Sequence, residues 1–224
     1  MGKNRLGAEF RVMLTEADLR RATRALARSD PDLARVVKRH GPPPLWQRRP
    51  GFATLVHIIL EQQVSLASAR AAFDRVRALA RPFTPANFLL LDDLQLRAAG
   101  FSRQKTLYCR NLARAIAEEG LRLPALARLD DAEVRTRLTA VKGIGIWTAD
   151  IYLIMALGRP DVWPRGDLAI AEAARQLKRL PTRPTDADLA AICEPWRPWR
   201  AVAARVLWHH YLSTPRNGRD ATGA

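Results

Sequence analysis

Apolar residues recur at intervals of three and four along almost the whole of this 224-residue chain, and its prolines and glycines fall between the apolar segments. That spacing gathers apolar side chains on one face of an α-helix. We therefore predict an all-α fold without a sheet. A chain of this length can form one compact domain or two small lobes.

Capping residues and helix breakers set the boundaries of the predicted helices. Thr15, Asp30, Ser65 and Ser102 each precede an apolar-periodic run, where a side-chain oxygen can accept hydrogen bonds from first-turn amides. The predicted helices cover 15–27, 30–41, 52–63, 66–79, 84–91, 92–98, 103–118, 131–141 (capped by Asp130 or Asp131), 146–157 and 167–180, and two more begin at Asp186 and Trp199. The prolines at 42–44 form a stiff linker.

The charge balance favours a polyanionic partner. Lysine and arginine total 37 against 22 aspartates and glutamates, which gives a formal net charge of +15 and a pI near 11.2. A surface of this charge binds nucleic acid through the release of condensed counterions. A general compositional preference for arginine produces the same balance, so charge alone does not identify the partner.

The cysteines and the N-terminal segment argue against several classes of protein. Cys109 and Cys193 are far apart and belong to no CxxC or Cys/His cluster, so we expect neither structural zinc nor an iron–sulfur cluster. No long apolar run follows the first residues, so a signal peptide or a membrane span has no support. These features predict a protein of the reducing cytoplasm.

A glycine turn between two predicted helices is the strongest candidate for a phosphate site. Gly143 and Gly145 lack a Cβ atom, so the turn can adopt positive φ angles and its amides can approach a ligand closely. The first-turn amides of the following helix, which includes Thr148, add donors and a favourable dipole. Lys142 adds a positive charge beside them.

The carbonyl oxygens of the same turn face away from that phosphate. Those of Thr139, Val141 and Ile144 can hold a monovalent cation, Na⁺ or K⁺, that braces the turn. The plainer alternative for the whole segment is an αα-hairpin with glycine caps and no ligand. A Gly-x-Gly sequence between helices does not decide between these alternatives.

A single carboxylate, Asp167, follows the hairpin. Positive charge builds up on deoxyribose when an N-glycosidic bond breaks, and a nearby carboxylate can stabilise that charge or orient water for attack. The alternative is an ordinary helix N-cap, because Asp167 directly precedes a helical run. The two roles are compatible.

Several segments together resemble one known family. The run 141–149 resembles the hairpin of the helix-hairpin-helix DNA glycosylase superfamily, and Asp167 falls where that superfamily keeps its catalytic aspartate. The segments 58–65, 100–105 and 195–208 are similar to further blocks of its 3-methyladenine DNA glycosylase II family. The resemblance covers residues 52–212 and includes no additional N-terminal β-rich lobe of the kind that some relatives carry.

The resemblance implies a role for each matched residue. Gln63 fills the gap left by a flipped nucleotide, whose unstacking costs on the order of a few kcal/mol. Trp147 and Trp208 line the base pocket, and Trp147 stands where lyase-active members have a Schiff-base lysine. The implied DNA contacts are Gln63, Ser102, Lys105, Lys142, Gly143, Ile144, Gly145 and Thr148. The alternatives are packing for the tryptophans, a buried or capping glutamine, and a solvated charged turn around Ser102 and Lys105.

The resemblance also implies a two-lobed all-α fold with the active site in the cleft between the lobes. We expect N-terminal helices over 1–48 that pack with the C-terminal lobe, a central lobe over 49–159, a C-terminal lobe over 160–212 that carries Asp167, and a disordered tail over 213–224. Trp196 and Trp199 are assigned to packing, and the four histidines receive no role.

The implied function is a monofunctional DNA glycosylase of base excision repair that flips out and hydrolyses alkylated purines such as 3-methyladenine. Electron-rich rings suit a cationic base, by about 0.5–2 kcal/mol per well-placed ring. The same chemistry on uracil, hypoxanthine or etheno bases stays open, as does a non-catalytic helix-hairpin-helix DNA-binding module. The expected partner is double-stranded DNA that contains damaged bases, and we expect no membrane partner. We expect a cytoplasmic monomer, nucleoid-associated if bacterial, with no cofactor beyond the hairpin Na⁺ or K⁺.

Overall fold

The computed structural model describes residues 13–214, and this part of the chain contains helices and no β-strand. The predicted all-α class is confirmed. No helix in this range is long and apolar enough to cross a membrane. Residues 1–12 of the predicted N-terminal helices and residues 215–224 of the predicted tail lie outside the described range.

Twelve α-helices and two short 3-10 helices are found within residues 13–214. The α-helices are α1 Glu16–Ser29, α2 Pro31–His40, α3 Phe52–Glu61, α4 Leu66–Leu79, α5 Pro85–Leu89, α6 Asp93–Ala98, α7 Arg103–Ala117, α8 Asp131–Thr139, α9 Ile146–Met155, α10 Leu168–Leu177, α11 Asp186–Cys193 and α12 Arg200–Ser213. The 3-10 helices, Leu123–Arg128 and Glu194–Trp196, were not predicted because they are too short to show helical periodicity.

Polar side chains cap nine of the twelve α-helices in the described range, and α3, α9 and α12 are the ones without such a cap. The predicted caps Thr15, Asp30, Ser65 and Ser102 are confirmed, and Asp130 is the cap of α8. The predicted helices ran two or three residues past the ends of α3, α8, α9 and α10. Apolar residues just beyond these ends keep the helical spacing in sequence although the backbone has already turned.

The chain divides into two compact units, and the first spans Gln47–Arg159. It contains α3 to α9, and α3 packs against α4, α7 and α9. The apolar residues of α3 are buried on nearly every side, with Leu55, Val56, Ile58, Ile59 and Leu60 at most 1% exposed. Helix α3 is therefore the core of the first unit.

The second unit combines Met13–Trp46 with residues 160–214; the predicted boundaries were after 48 and after 159. Helix α12 packs against α1, α2 and α10. Its Arg205 is only 1% exposed, and the guanidinium donates to the carbonyl oxygens of Leu45 at 2.9 Å and Ala201 at 3.0 Å. Burial lowers the pKa of Arg205 to about 10. The side chain therefore stays charged at neutral pH and ties α12 to the segment before residue 46.

Asp30 joins three parts of the second unit. It caps α2, and its Oδ2 also accepts hydrogen bonds from Lys178 Nζ at 3.0 Å and Trp196 Nε1 at 2.9 Å. Burial alone would raise the pKa of Asp30, but the hydrogen bonds from Trp196 and Lys178 outweigh it and lower the pKa. Trp196 is buried and its ring centroid lies 5.8 Å from that of Trp163, which confirms its packing role.

Three histidines gather in the second unit. The ring centroid of His40 lies 6.0 Å from that of His209 and 5.8 Å from that of His210. Burial, and then the neighbouring His40, lowers the pKa of both His209 and His210. The fold therefore favours the neutral form of these two rings.

We expect the protein to lose thermal stability as the pH falls below the ordinary histidine pKa of 6.5. Below that pH the histidines bind protons more readily in the unfolded chain than in the folded protein. Their contribution to the free energy of unfolding is therefore complete above pH 6.5 and is lost as the pH falls. His57 in the first unit, whose pKa burial also lowers, acts in the same direction. The check is the Tm between about pH 7.5 and about 5.5. His209→Gln should lose less Tm over this range than the parent, and a constant Tm in the parent would contradict the expectation.

Candidate active site

The glycine turn joins α8 to α9 in the first unit, and its two glycines differ. Gly143 has a φ of +106°, and a Cβ atom there would lie 2.2 Å from Cγ of Tyr108. Gly145 has a φ of −87° and open space where a Cβ would stand. Within this turn the positive φ is therefore found at Gly143, and Gly145 is extended backbone.

Helix α9 begins at this turn without a side-chain cap, because its N-cap residue is Gly145. The first-turn amides of a helix carry partial positive charge and suit an anion such as phosphate. A Cβ atom at Gly145 would meet no atom within 4 Å, so the space beside this residue is open. The turn therefore has the form of a backbone phosphate site.

Gln62, just past the end of α3, reaches this turn. Its Nε2 donates to the Thr148 hydroxyl at 2.9 Å and to the Gly143 carbonyl at 3.4 Å. Thr148 is buried, so its side chain is not available to DNA. Ile144 is also buried, and its amide donates to the Val141 carbonyl at 3.0 Å. For Thr148 and Ile144 the structure shows internal contacts, and their DNA contacts stay predictions.

Two residues of α7 support the same turn. Asn111 Nδ2 donates to the Lys142 carbonyl at 3.1 Å, and the Tyr108 ring fills the space beside Gly143. The Lys142 side chain is exposed, as a phosphate contact requires. The sequence did not indicate Asn111, Tyr108 or Gln62, because a contact with a distant turn leaves no motif or periodicity.

An ion pair joins the two helices of the hairpin. Arg135 Nε of α8 donates to Asp150 Oδ1 of α9 at 2.6 Å, and Asp150 is fully buried. Removing one partner of a buried pair leaves an uncompensated charge and costs about 3–5 kcal/mol. The pair therefore holds α8 and α9 in one arrangement around the turn.

The two adjacent glutamines after α3 have different environments. Gln62 is bonded to the turn, whereas Gln63 is exposed and has a φ of +57°. This left-handed conformation costs a residue with a side chain about 1–2 kcal/mol. Gln63 thus faces solvent, as insertion into DNA requires, and the alternative of a buried glutamine is not found at this position.

Ser102 and Lys105 lie at the start of α7. The Ser102 hydroxyl accepts a hydrogen bond from the Lys105 amide at 3.2 Å, so Ser102 is the predicted cap. The Lys105 ammonium donates to the Leu60 carbonyl of α3 at 2.6 Å, and burial lowers its pKa. The structure thus gives Lys105 an internal contact that the sequence did not indicate, and its phosphate contact stays a prediction.

Trp147 lies in the first turn of α9 and is partly exposed. An indole has no amine with which to form a Schiff base with a sugar. Trp208, in the second unit, is 8% exposed and meets the Trp46 ring edge-on, with 6.5 Å between the ring centroids. Trp208 therefore makes a packing contact, which is the alternative to a role in the base pocket. A base-pocket role for Trp147 or Trp208 stays a prediction.

Asp167 lies in the second unit, where it is 6% exposed and caps α10. Its Oδ1 accepts a hydrogen bond from the Ile170 amide at 2.9 Å. This bond fixes the orientation of the carboxylate relative to the helix. The cap considered as an alternative is confirmed, and it is compatible with a catalytic carboxylate.

The segment that precedes Asp167 is fastened near both ends. The Asp161 carboxylate accepts hydrogen bonds from the Arg200 guanidinium at 2.9 Å and 3.0 Å. At the other end, the Gly166 amide donates to Asp186 Oδ1 at 3.1 Å. These contacts with α11 and α12 hold the backbone that carries the carboxylate.

Metal-ligating side chains do not gather anywhere in residues 13–214, where no three His, Cys, Asp or Glu residues are arranged to hold a metal ion. Cys109 and Cys193 are buried free thiols, and burial raises the pKa of both. A raised pKa keeps a thiol protonated and unreactive at neutral pH. Neither cysteine is therefore a candidate nucleophile.

Comparisons with known proteins define the class. Residues 56–198 match the HhH-GPD superfamily of base excision DNA repair proteins. The chain belongs to this superfamily. It is 32% identical over 180 residues to DNA-3-methyladenine glycosylase 1 of Schizosaccharomyces pombe, an alignment that covers 79% of each chain. The resemblance to 3-methyladenine DNA glycosylases that the sequence motifs indicated is therefore confirmed.

Two solved structures have the same fold. One is the S. pombe 3-methyladenine DNA glycosylase Mag1 in complex with abasic DNA, with a TM-score of 0.74 and 31% identity over 84% of this chain and 95% of that chain. The other is a DNA-3-methyladenine glycosidase from Bacillus halodurans, with a TM-score of 0.71 and 29% identity over 86% and 89%. The predicted helix-hairpin-helix glycosylase fold is confirmed.

We expect Gly143→Ala to destabilise the protein and Gly145→Ala to leave its stability nearly unchanged. At Gly143 a methyl group meets both the Tyr108 ring and a strained φ, which together cost about 2–4 kcal/mol. At Gly145 neither penalty applies. Thermal unfolding of the two variants beside the parent is the measurement. An equal loss of Tm in both would contradict the expectation.

Proposed function

We propose that this chain is a monofunctional DNA glycosylase that hydrolyses the N-glycosidic bond of alkylated purines, 3-methyladenine among them. The observation that carries the proposal is Asp167, a buried carboxylate on a fastened segment in a chain of the HhH-GPD superfamily. The names of the relatives, DNA-3-methyladenine glycosylases, support the choice of base.

The proposed reaction needs one carboxylate and one water molecule. As the bond to the base breaks, its electron pair leaves with the base, and positive charge develops on the deoxyribose. The Asp167 carboxylate stabilises that charge and accepts the proton of the attacking water. A purine alkylated on a ring nitrogen, as in 3-methyladenine, is already cationic in DNA and departs neutral, so no second acid is required. Trp147 supplies an electron-rich face for the cationic base.

The proposed partner is double-stranded DNA that contains a damaged base. The turn amides at the start of α9 and the exposed Lys142 hold a phosphate, without reading the base sequence. The net charge of +15 and the abasic-DNA complex of Mag1 support this assignment. In this proposal the protein acts as a monomer. It is located in the cytoplasm, and in a bacterial cell it is associated with the nucleoid.

The proposed reaction uses no organic or redox cofactor. A Na⁺ or K⁺ on the carbonyl oxygens of Thr139, Val141 and Ile144 fits as a brace of the turn, since such oxygens replace the hydration shell of these ions. The Val141 carbonyl also accepts the Ile144 amide at 3.0 Å, and its two lone pairs allow both contacts.

Asp167→Asn should abolish base release and leave binding to abasic DNA intact. Asparagine caps a helix as well as aspartate does, so α10 should persist. The neutral amide can neither stabilise the sugar cation nor accept a proton, so release should slow by about a hundredfold or more. The measurement is single-turnover release from methylated duplex, followed by chromatography of the free bases. Asp92→Asn, the same change at the cap of α6, is the matched control and should keep the parent rate.

Base release near the parent rate in Asp167→Asn would contradict this mechanism. If the parent releases uracil, hypoxanthine or etheno bases in place of 3-methyladenine, the role of Asp167 stands and the leaving step is corrected, because a neutral base departs as an anion and takes up the proton that water gives to Asp167. If the parent releases no base from any damaged duplex, the non-catalytic DNA-binding module is favoured.

We expect base release without strand cleavage. Trp147 offers no amine, so the sugar is attacked by water and the abasic strand remains intact. The measurements are a denaturing gel of the reacted strand and borohydride treatment of the protein with abasic DNA, which should trap no covalent complex. A trapped complex that disappears in Lys142→Ala would identify Lys142 as a nucleophile and contradict the monofunctional assignment.

A further inference from the structure

Consecutive residues at the end of α3 are fastened to the rest of the first unit. The Glu61 carboxylate accepts two hydrogen bonds from the Arg48 guanidinium, at 2.6 Å and 3.0 Å. The Leu60 carbonyl accepts one from Lys105 Nζ at 2.6 Å. Gln62 follows and donates to the glycine turn. The end of the helix is therefore held by contacts with three separate parts of the unit.

Of these contacts, the one made by Gln62 joins the end of α3 to the glycine turn. Its Nε2 lies 2.9 Å from the Thr148 hydroxyl and 3.4 Å from the Gly143 carbonyl oxygen. Gly143 is the residue of the turn that has no room for a side chain, and Thr148 lies in the first turn of α9. One amide group thus bonds both the turn and the start of the helix that follows it.

Gln63 is the next residue, and its environment is the opposite. It is exposed, and it has a φ of +57° immediately after Gln62. A strained conformation of this kind persists only where the surrounding contacts over-determine it. The Cα atoms of adjacent residues are about 3.8 Å apart, so fixing Gln62 also fixes where the Gln63 side chain leaves the protein.

We propose that Gln62 is a positioning residue that sets the distance between the side chain entering the DNA stack and the turn holding the DNA backbone. This inference rests on the proposed function, in which Gln63 fills the gap left by the flipped nucleotide. Insertion and phosphate contact must fit one duplex at the same time. A misplacement of about 1 Å between two such points can cost up to about a hundredfold.

The test compares affinity for a duplex with an abasic site and for an intact duplex of the same sequence. Intact DNA reports the phosphate contact, and abasic DNA adds the inserted side chain. Gln62→Met keeps the length of the side chain and removes its donor. We expect its preference for abasic DNA to fall about tenfold while its affinity for intact DNA stays within about twofold of the parent.

A second test variant and a matched control complete this experiment. Thr148→Val removes the 2.9 Å hydrogen bond from its other end and should cause the same loss of preference. Gln176→Met is the matched control, because it makes the same substitution at an exposed glutamine that donates to Glu172 in the second unit. It should keep the parent preference.

A double-variant comparison separates positioning from a general loss of structure. Gln63→Ala should itself lower the preference for abasic DNA. Gln62→Met added to Gln63→Ala should cause no further loss, because no side chain is left to position. A merely structural role of Gln62 would instead add its loss in the double variant and weaken binding to intact DNA as well.

The positioning role is overturned if Gln62→Met and Thr148→Val both keep the parent preference, if Gln63→Ala keeps it, or if the losses add in the double variant. The test measures DNA affinity, so its result can be interpreted whether or not the protein releases a base. Absence of base release by the parent protein would overturn the proposed function, and the binding comparison would still decide the role of Gln62.

Discussion

The close approach of Gly143 to the ring of Tyr108 is the constraint on which the rest of the candidate site depends. Because no Cβ atom stands between them, the turn after α8 lies directly against α7. That contact places the Lys142 carbonyl within reach of Asn111, and the Gly143 carbonyl and Thr148 within reach of Gln62. The groups that the turn leaves toward solvent are then the open side of Gly145 and the lysine side chain. A single missing carbon thus determines which face of the turn is internal.

The two units use different means to fix their functional groups. In the first unit, Asn111 of α7 and Gln62, just past the end of α3, brace the backbone of the glycine turn. In the second unit, the backbone braces a side chain, since the Ile170 amide orients the Asp167 carboxylate and the contacts of Asp161 and Gly166 hold the segment before it. Both arrangements restrict motion before any substrate is bound, which lowers the entropy lost on binding.

The helices, most of their caps, the cap at Asp167 and the position of the glycine turn between two helices could be predicted from the sequence, because each depends on residues close together in the chain. The contacts of Gln62 and Asn111 could not be predicted, since the partners of Gln62 lie 81 and 86 positions away along the chain and that of Asn111 lies 31 positions away. Lys105 shows the same limit: its charge suggests a phosphate contact, whereas the fold turns its ammonium to a carbonyl of α3. The sequence allowed positive φ angles in the turn, and only the path of the backbone shows that Gly143 adopts one and Gly145 does not.

The uncapped start of α9 links the order of that helix to what binds it. Most neighbouring helices carry their own cap in the form of a serine, threonine or aspartate, whereas α9 begins at a glycine. A bound phosphate would complete the hydrogen bonding of this first turn, and so act as the missing cap. A carboxylate introduced at position 145 would stabilise the free protein and compete with the ligand for the same amides. The glycine leaves the first turn of α9 without a side-chain cap in the unbound protein, and a phosphate that completed this turn would stabilise the helix on binding.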